Sequence, residues 1–136
     1  MIDYDIERYD KVHLWIGTSL APEHDYQRYF ELDYSAELDE PGYIVCGFCK
    51  DIGLQWYDED FIGILPRTQT PQALDDLLRD APVDPGEWAR VKAECARLGL
   101  VQANALVWYS DGGVAVSPPY KDSYNGLQYI GLFEGN

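Results

Sequence analysis

The stretch "KVHLWIGTS", residues 11–19, decides the fold. Val12, Leu14 and Ile16 alternate with His13, Trp15 and Gly17, which is the period of a β-strand with one face buried and the other lined by larger groups. Just beyond it, Pro22 begins PEHDYQRYFEL, in which Tyr26, Tyr29 and Phe30 fall at i, i+3 and i+4. That spacing predicts a helix with an aromatic inner face. Residues 33–42, DYSAELDEPG, are acidic and rich in turn formers, and read as a loop.

Further along, Ile52, Leu54 and Trp56 alternate and residues 61–65 form a second apolar run. Two extended segments joined at Asp58-Glu59-Asp60 are expected, with a helical turn through WYDEDF as the alternative. Either way the three acids belong at the surface, because burying them together without cations or a metal is prohibitive. Thr70 and Pro71 suit N-cap and N1 of a helix whose Leu74, Leu77, Leu78 and Ala81 share a face and which Pro82 stops. Asp84, Pro85 and Glu87 resemble a capping box before Trp88, Val91, Cys95 and Leu98, with Gly99 as the stop. Residues 103–109, ANALVWY, form a strand ending in the turn Ser110-Asp111-Gly112-Gly113, and residues 127–133, LQYIGLF, follow the turn pair Asn125-Gly126 as the last strand. This order fits an α+β domain: a mainly antiparallel sheet with about three helices packed on one face.

At 136 residues, one domain spanning residues 1–136 is expected. Hydrophobic residues make up 46% and aromatics 14%, so the net charge of −14 sits on a folded body. The charge is lopsided. Residues 1–60 hold 15 Asp/Glu against 4 Lys/Arg, net −11, and residues 61–136 hold 9 against 6, net −3. Such a field disfavours nucleic acid and anionic membranes, and attracts a basic partner. MIDYDIERYD at the start carries four acids and no apolar segment, and no run approaches the roughly 20 residues that cross a bilayer, so a cytoplasmic protein is expected. Three cysteines, an odd number, argue against a disulfide framework.

Signals for catalysis are weak. Cys46-Gly47-Phe48-Cys49 has the spacing of a redox or zinc motif, yet thioredoxin-type chemistry wants the first cysteine at a helix N-terminus after a strand in a βαβ unit, a setting not evident here, and zinc would need two more ligands from the scattered Cys95, His13 and His24. Ordinary reduced cysteines and structural histidines are the simpler expectation. Asp58 and Asp60, with Asp51 nearby, could act as paired carboxylates or bind a hard metal, but the DxD spacing is common and no EF-hand ligand series surrounds it. No Gly-rich phosphate loop, dinucleotide fingerprint or nucleophile elbow is present. The expectation is a protein that is not an enzyme and needs no cofactor or metal. Trp88 and Trp108 read as core, whereas Trp56 and Tyr57, on opposite faces and rimmed by charge, have the composition of an interface hot spot.

Taken together, HLWIGTS, YQRYFELDY, FCKDIGLQWYDEDFIG, ANALVWY and YNGLQYIGLFEGN resemble the immunity protein family numbered twenty-two, from about Val12 to Gly135. The resemblance implies an α+β cytosolic protein that protects a bacterium from a toxin of a polymorphic or contact-dependent system by binding the toxin domain, without catalysis. On that reading Asp33, Glu37, Asp39, Glu40, Asp51, Asp58, Glu59 and Asp60 form an acidic surface that occludes a basic active-site cleft, as a nuclease-type toxin would have, with Trp56 and Tyr57 as apolar anchors. Two alternatives stand beside it: a small metal-dependent hydrolase using Asp58 and Asp60, and an acidic protein-interaction adaptor.

Overall fold

The structure, a computed structural model, describes residues 9–37, 40–114, 116 and 123–135. Its centre is a four-stranded antiparallel sheet. The strands are β1 (Lys11–Gly17), β2 (Ile62–Ile64), β5 (Ala105–Tyr109) and β6 (Leu127–Glu134), in the order β2-β5-β1-β6. A second sheet pairs β3 (Gln72–Ala73) with β4 (Gln102–Ala103). Helices α1 (Glu23–Arg28), α2 (Gly47–Ile52), α3 (Leu74–Leu78) and α4 (Trp88–Arg97) complete the α+β fold, with a 3₁₀ turn at Pro85–Glu87 leading into α4.

β1 explains the layering. Val12, Leu14 and Ile16 point into one apolar cluster with the leucines of α3, Val91 and Cys95 of α4, and Leu106 of β5. Trp15 points the other way, into a second cluster holding Tyr26 of α1 and Phe48, Cys49 and Ile52 of α2. The sheet is therefore covered on both faces, and its helices divide between them rather than sharing the one face expected. The large residues opposite Val12, Leu14 and Ile16 are a second buried layer and not a solvent face.

A bulge adjusts β6 to these two layers. Leu14 pairs with Gly131 and Trp15 with Tyr129, so Ile130 is the extra residue. Leu127 and Tyr129 then face the second cluster while Ile130 and Phe133 both face the first, which strict alternation would forbid. Gly131 sits at φ 140°, a backbone geometry that suits glycine. The Asn125-Gly126 pair, both at positive φ, closes a tight turn in which Tyr124 and Leu127 exchange backbone hydrogen bonds of 2.7 and 3.1 Å.

α4 follows its sequence signals. The Asp84 carboxylate accepts from the Gly86 N–H at 3.1 Å, and past the helix Gly99 at φ 83° lets the Leu100 N–H reach the Cys95 carbonyl at 2.7 Å. Glu87 does not close a capping box. Its carboxylate takes the Glu134 N–H and the Arg90 guanidinium, tying the helix start to the end of β6.

Two further expectations fail. Thr70 and Pro71 do not cap a helix, because residues 72 and 73 are held as β3 against β4 and α3 begins at Leu74 with no side-chain cap. The hairpin expected across residues 52–65 is absent from the described residues. Ile52 ends α2, which the Cys46 sulfur caps at its start and Gly53, at φ 82°, caps at its end, and only residues 62–64 of the later run pair with the sheet. Local capping overrides the strand-like alternation of Ile52, Leu54 and Trp56.

Candidate functional site

The predicted acidic surface lies on two segments, residues 29–46 after α1 and residues 47–61 from α2 to the start of β2. Tyrosines fasten them together. The Tyr29 hydroxyl donates to Asp51 Oδ2 at 2.5 Å, the Tyr43 hydroxyl to the Gln55 carbonyl at 2.9 Å, and the Tyr34 hydroxyl to Glu59 Oε1. Backbone joins them too, through the Phe48 N–H and the Tyr29 carbonyl at 3.0 Å. These contacts tie Asp51 and Glu59 to the tyrosine-bearing segment across as many as 25 positions in the chain (59 − 34).

The acidic triplet forms a turn. Asp58 Oδ1 accepts the Asp60 N–H at 2.9 Å, the Asp58 carbonyl accepts the Phe61 N–H at 3.0 Å, and the Asp58 N–H donates to the Tyr109 hydroxyl at 2.8 Å. Glu59 and Asp60 project into solvent while Asp58 is half-buried. The Asp58 carboxylate is thus engaged in holding the turn, and among the described residues no group of three His, Cys, Asp or Glu is placed to hold a metal ion.

The remaining candidate acids differ in burial and in partners. Asp33 is half-buried and accepts the Ser35 N–H at 2.8 Å; its hydrogen bonding with Ser35 lowers its pKa. Glu37 and Glu40 are exposed, with the Glu37 N–H donating to Glu40 Oε1 at 2.9 Å. Asp39 lies outside the described residues. Asp51 is half-buried beneath Tyr29, whose hydroxyl pKa is driven upward by burial first and then by that carboxylate.

The two anchor candidates part company. Trp56 is 40% exposed, but Tyr57 is only 4% exposed and belongs to the aromatic core. Its ring packs edge-on against Phe48 at 5.7 Å and Tyr109 at 6.2 Å, and its hydroxyl donates to the Phe30 carbonyl. Tyr57 is therefore corrected from surface anchor to core residue, for the reason already visible in the sequence: neighbours in an extended segment face opposite ways, and here only one way is solvent. The exposed apolar company of Trp56 is instead Tyr34, 66% exposed, and Ile44. Neither was singled out from the sequence, where an isolated tyrosine and isoleucine in an acidic loop carry no signal of their own.

Beside this face a cavity of about 660 Å³ opens between α1 and the segment before α2. Arg28 and His24 line its α1 side, and Asp33, Tyr34, Ile44 and Cys46 line the other. The two histidines differ. His24 is exposed on α1, whereas His13 is buried, with Nε2 donating to the Val114 carbonyl at 2.7 Å and Nδ1 2.7 Å from the Tyr129 hydroxyl. A carbonyl can only accept, which fixes the Nε2–H tautomer. Burial lowers the His13 pKa, partly opposed by the Val114 bond and by Asp111.

Fold and site define an acidic α+β protein that presents carboxylates and large aromatics on a tyrosine-fastened face. The chain belongs to the Immunity protein 22 family, whose model matches residues 12–134. Neither the curated proteins nor the solved structures hold a significant match to it. Family membership supports a toxin-neutralising role exercised by binding a cognate toxin protein, and suggests an inhibitor without catalysis of its own. No described helix is long and apolar enough to cross a membrane.

Proposed function

We propose that this immunity protein neutralises its toxin by laying the face around Trp56 and the Asp58–Asp60 turn over a basic active-site cleft, of the kind a nuclease needs to hold a polyanion. The observation that carries this reading is the joint exposure of Trp56, Tyr34 and Ile44 among Glu37, Glu40, Glu59 and Asp60. Apolar anchors within a charged rim are the arrangement of an interface hot spot. The carboxylates speed encounter with a cationic surface, and the buried anchor slows departure. Trp56 takes the anchoring role with Tyr34 and Ile44, without Tyr57. The toxin is then a basic protein domain, met in the cytoplasm.

The test is binding kinetics against the toxin domain encoded beside the gene, at two salt concentrations. Replacing Asp58, Glu59 and Asp60 by Asn, Gln and Asn keeps an acceptor for the Asp60 N–H, so the turn survives while its charge goes. Association at low salt slows by about tenfold and its salt dependence flattens. Trp56→Ala chiefly raises the dissociation rate. Unchanged association and dissociation in both variants would remove this face from the mechanism.

A further inference from the structure

We propose that Cys46 and Cys49 are a thiol–disulfide couple, with Cys46 as the attacking sulfur and Cys49 as the resolving one, oxidised by low-molecular-weight disulfides of the glutathione class. The inference is independent of how the toxin is held.

The sequence supplies the spacing, and the structure supplies what the spacing lacked. Cys46 is the residue at which an extended segment (φ −67°, ψ 161°) turns into a helix, and its Sγ accepts the Cys49 N–H at 3.4 Å. The sulfur of the first cysteine thus already lies over the turn from which the second side chain departs. A disulfide needs Cα atoms about 4.4–6.8 Å apart, a range that a cap residue and the third residue of the turn it opens satisfy.

Access is asymmetric in the direction the chemistry requires. Cys46 is 7% exposed and lines the 660 Å³ cavity, where a small disulfide can approach, while Cys49 is fully buried. The hydrogen bonding that Cys46 receives, first from Cys49 and then from backbone N–H groups of the turn, lowers its pKa to about 7, whereas the same contact and burial push Cys49 upward. Cys95 takes no part. It sits in the other apolar cluster, across the sheet, and burial raises it to about 11.

The exchange balances. The Cys46 thiolate attacks one sulfur of the small disulfide, whose S–S bond breaks to release one small thiol carrying the Cys46 proton. Cys49 then loses its proton and attacks Cys46 Sγ, forming the Cys46–Cys49 bond and expelling the second small thiol, which takes that proton. Two protein thiols are oxidised by two electrons and one small disulfide is reduced to two thiols. Closing the bond withdraws Cys46 Sγ from the Cys49 N–H, so the start of α2 and the cavity wall shared with Asp33 and Tyr34 are what change.

The experiment titrates the folded, reduced chain with glutathione buffers of stepped ratio and reads products by intact mass and tryptic mapping. The wild type, and equally Cys95→Ser, forms an internal Cys46–Cys49 disulfide that reduction reverses. Cys49→Ala, small and apolar enough for its buried site, accumulates a glutathione adduct on Cys46. Cys46→Ser, in which serine replaces one capping atom by a better one, forms neither product. Failure of the wild type to form the bond in folded protein, or an adduct carried by Cys95 instead, would overturn the assignment. Circular dichroism of each variant separates lost chemistry from lost fold.

Discussion

Tyr57→Phe isolates one atom. The ring keeps its edge-on contacts with Phe48 and Tyr109, and only the hydroxyl that donates to the Phe30 carbonyl is deleted. Tyr57 and Phe30 are both buried, at 4% and 3% exposure, so water cannot replace the lost donor without opening the core. Leaving one buried acceptor unsatisfied costs about 1–3 kcal/mol. For a chain of this length about 3–5 °C of melting temperature follows each kcal/mol, so the midpoint should fall by roughly 3–15 °C. Urea unfolding followed by tryptophan fluorescence should show the midpoint moving while the slope stays constant, the signature of changed stability rather than a changed unfolded state. Toxin binding should be unaltered at temperatures where both proteins are folded. An unshifted midpoint together with weakened binding would place the Tyr57 hydroxyl at the surface, restore it as an anchor, and refute the burial argument.

Gly63→Ala should destabilise by about 1–3 kcal/mol, because a Cβ there would stand 2.0 Å from the Trp108 ring that lies over it; a melting curve superimposable on wild type would show that the ring moves aside freely. Asn104→Ala should cost about 2–3 kcal/mol in urea unfolding, since Asn104 accepts the buried Ser19 N–H at 2.9 Å and donates to the Ser19 and Thr68 carbonyls, and a loss below about 0.5 kcal/mol would show the network to be dispensable. For His13 the folded pKa lies below its unfolded value near 6.5, so above that pH it is neutral in both states and contributes no pH dependence. As pH falls below about 6.5 the unfolded chain takes up a proton that the folded one resists, and stability drops by at most about 1.4 kcal/mol per pH unit from this group. His13→Gln should show a shallower fall over that window, and an NMR titration placing the His13 midpoint at or above 6.5 would contradict the assignment.

What the sequence made legible depends on how local the deciding interaction is. α4 could be read because Asp84, Pro85 and Gly99 act within a few residues of the helix they bound, and the Asn125-Gly126 turn could be read because its positive φ angles demand those residues. β1 was legible as a strand but not as the middle of a sandwich. Alternation separates two faces without saying whether the second meets water or another layer, and His13 and Trp15 fit both. α2 was missed because cysteine is a weak cap signal, whereas Ile52, Leu54 and Trp56 fit a strand period that Gly53 in fact interrupts. The shortened α3 has a different cause: residues 72 and 73 are claimed by β4, some 30 positions away (102 − 72), and no local pattern announces that pairing. The same holds for the site. The sequence marked the acids, but the tyrosine hydroxyls that assemble them act across the chain.

Those hydroxyls matter for the electrostatics. Carboxylates crowded on one face repel each other, and the usual remedy is to interleave lysine and arginine, as in the pairs Arg79–Asp76, Lys92–Asp75 and Arg97–Glu94 of the C-terminal half. Such a cation satisfies the carboxylate and cancels its charge together. A tyrosine donor, as on Glu59 and Asp51, satisfies lone pairs while leaving the negative charge in place. It also brings an aromatic ring that packs into the core beneath, as Tyr29 does against Phe30 at 5.0 Å. A chain that must hold acids in fixed positions and still present their field to a partner is better served by tyrosine than by arginine. The uneven charge, net −11 in residues 1–60 against −3 beyond, and the hydroxyls of Tyr29 and Tyr34 are in this sense one feature: the second holds in place part of what the first presents.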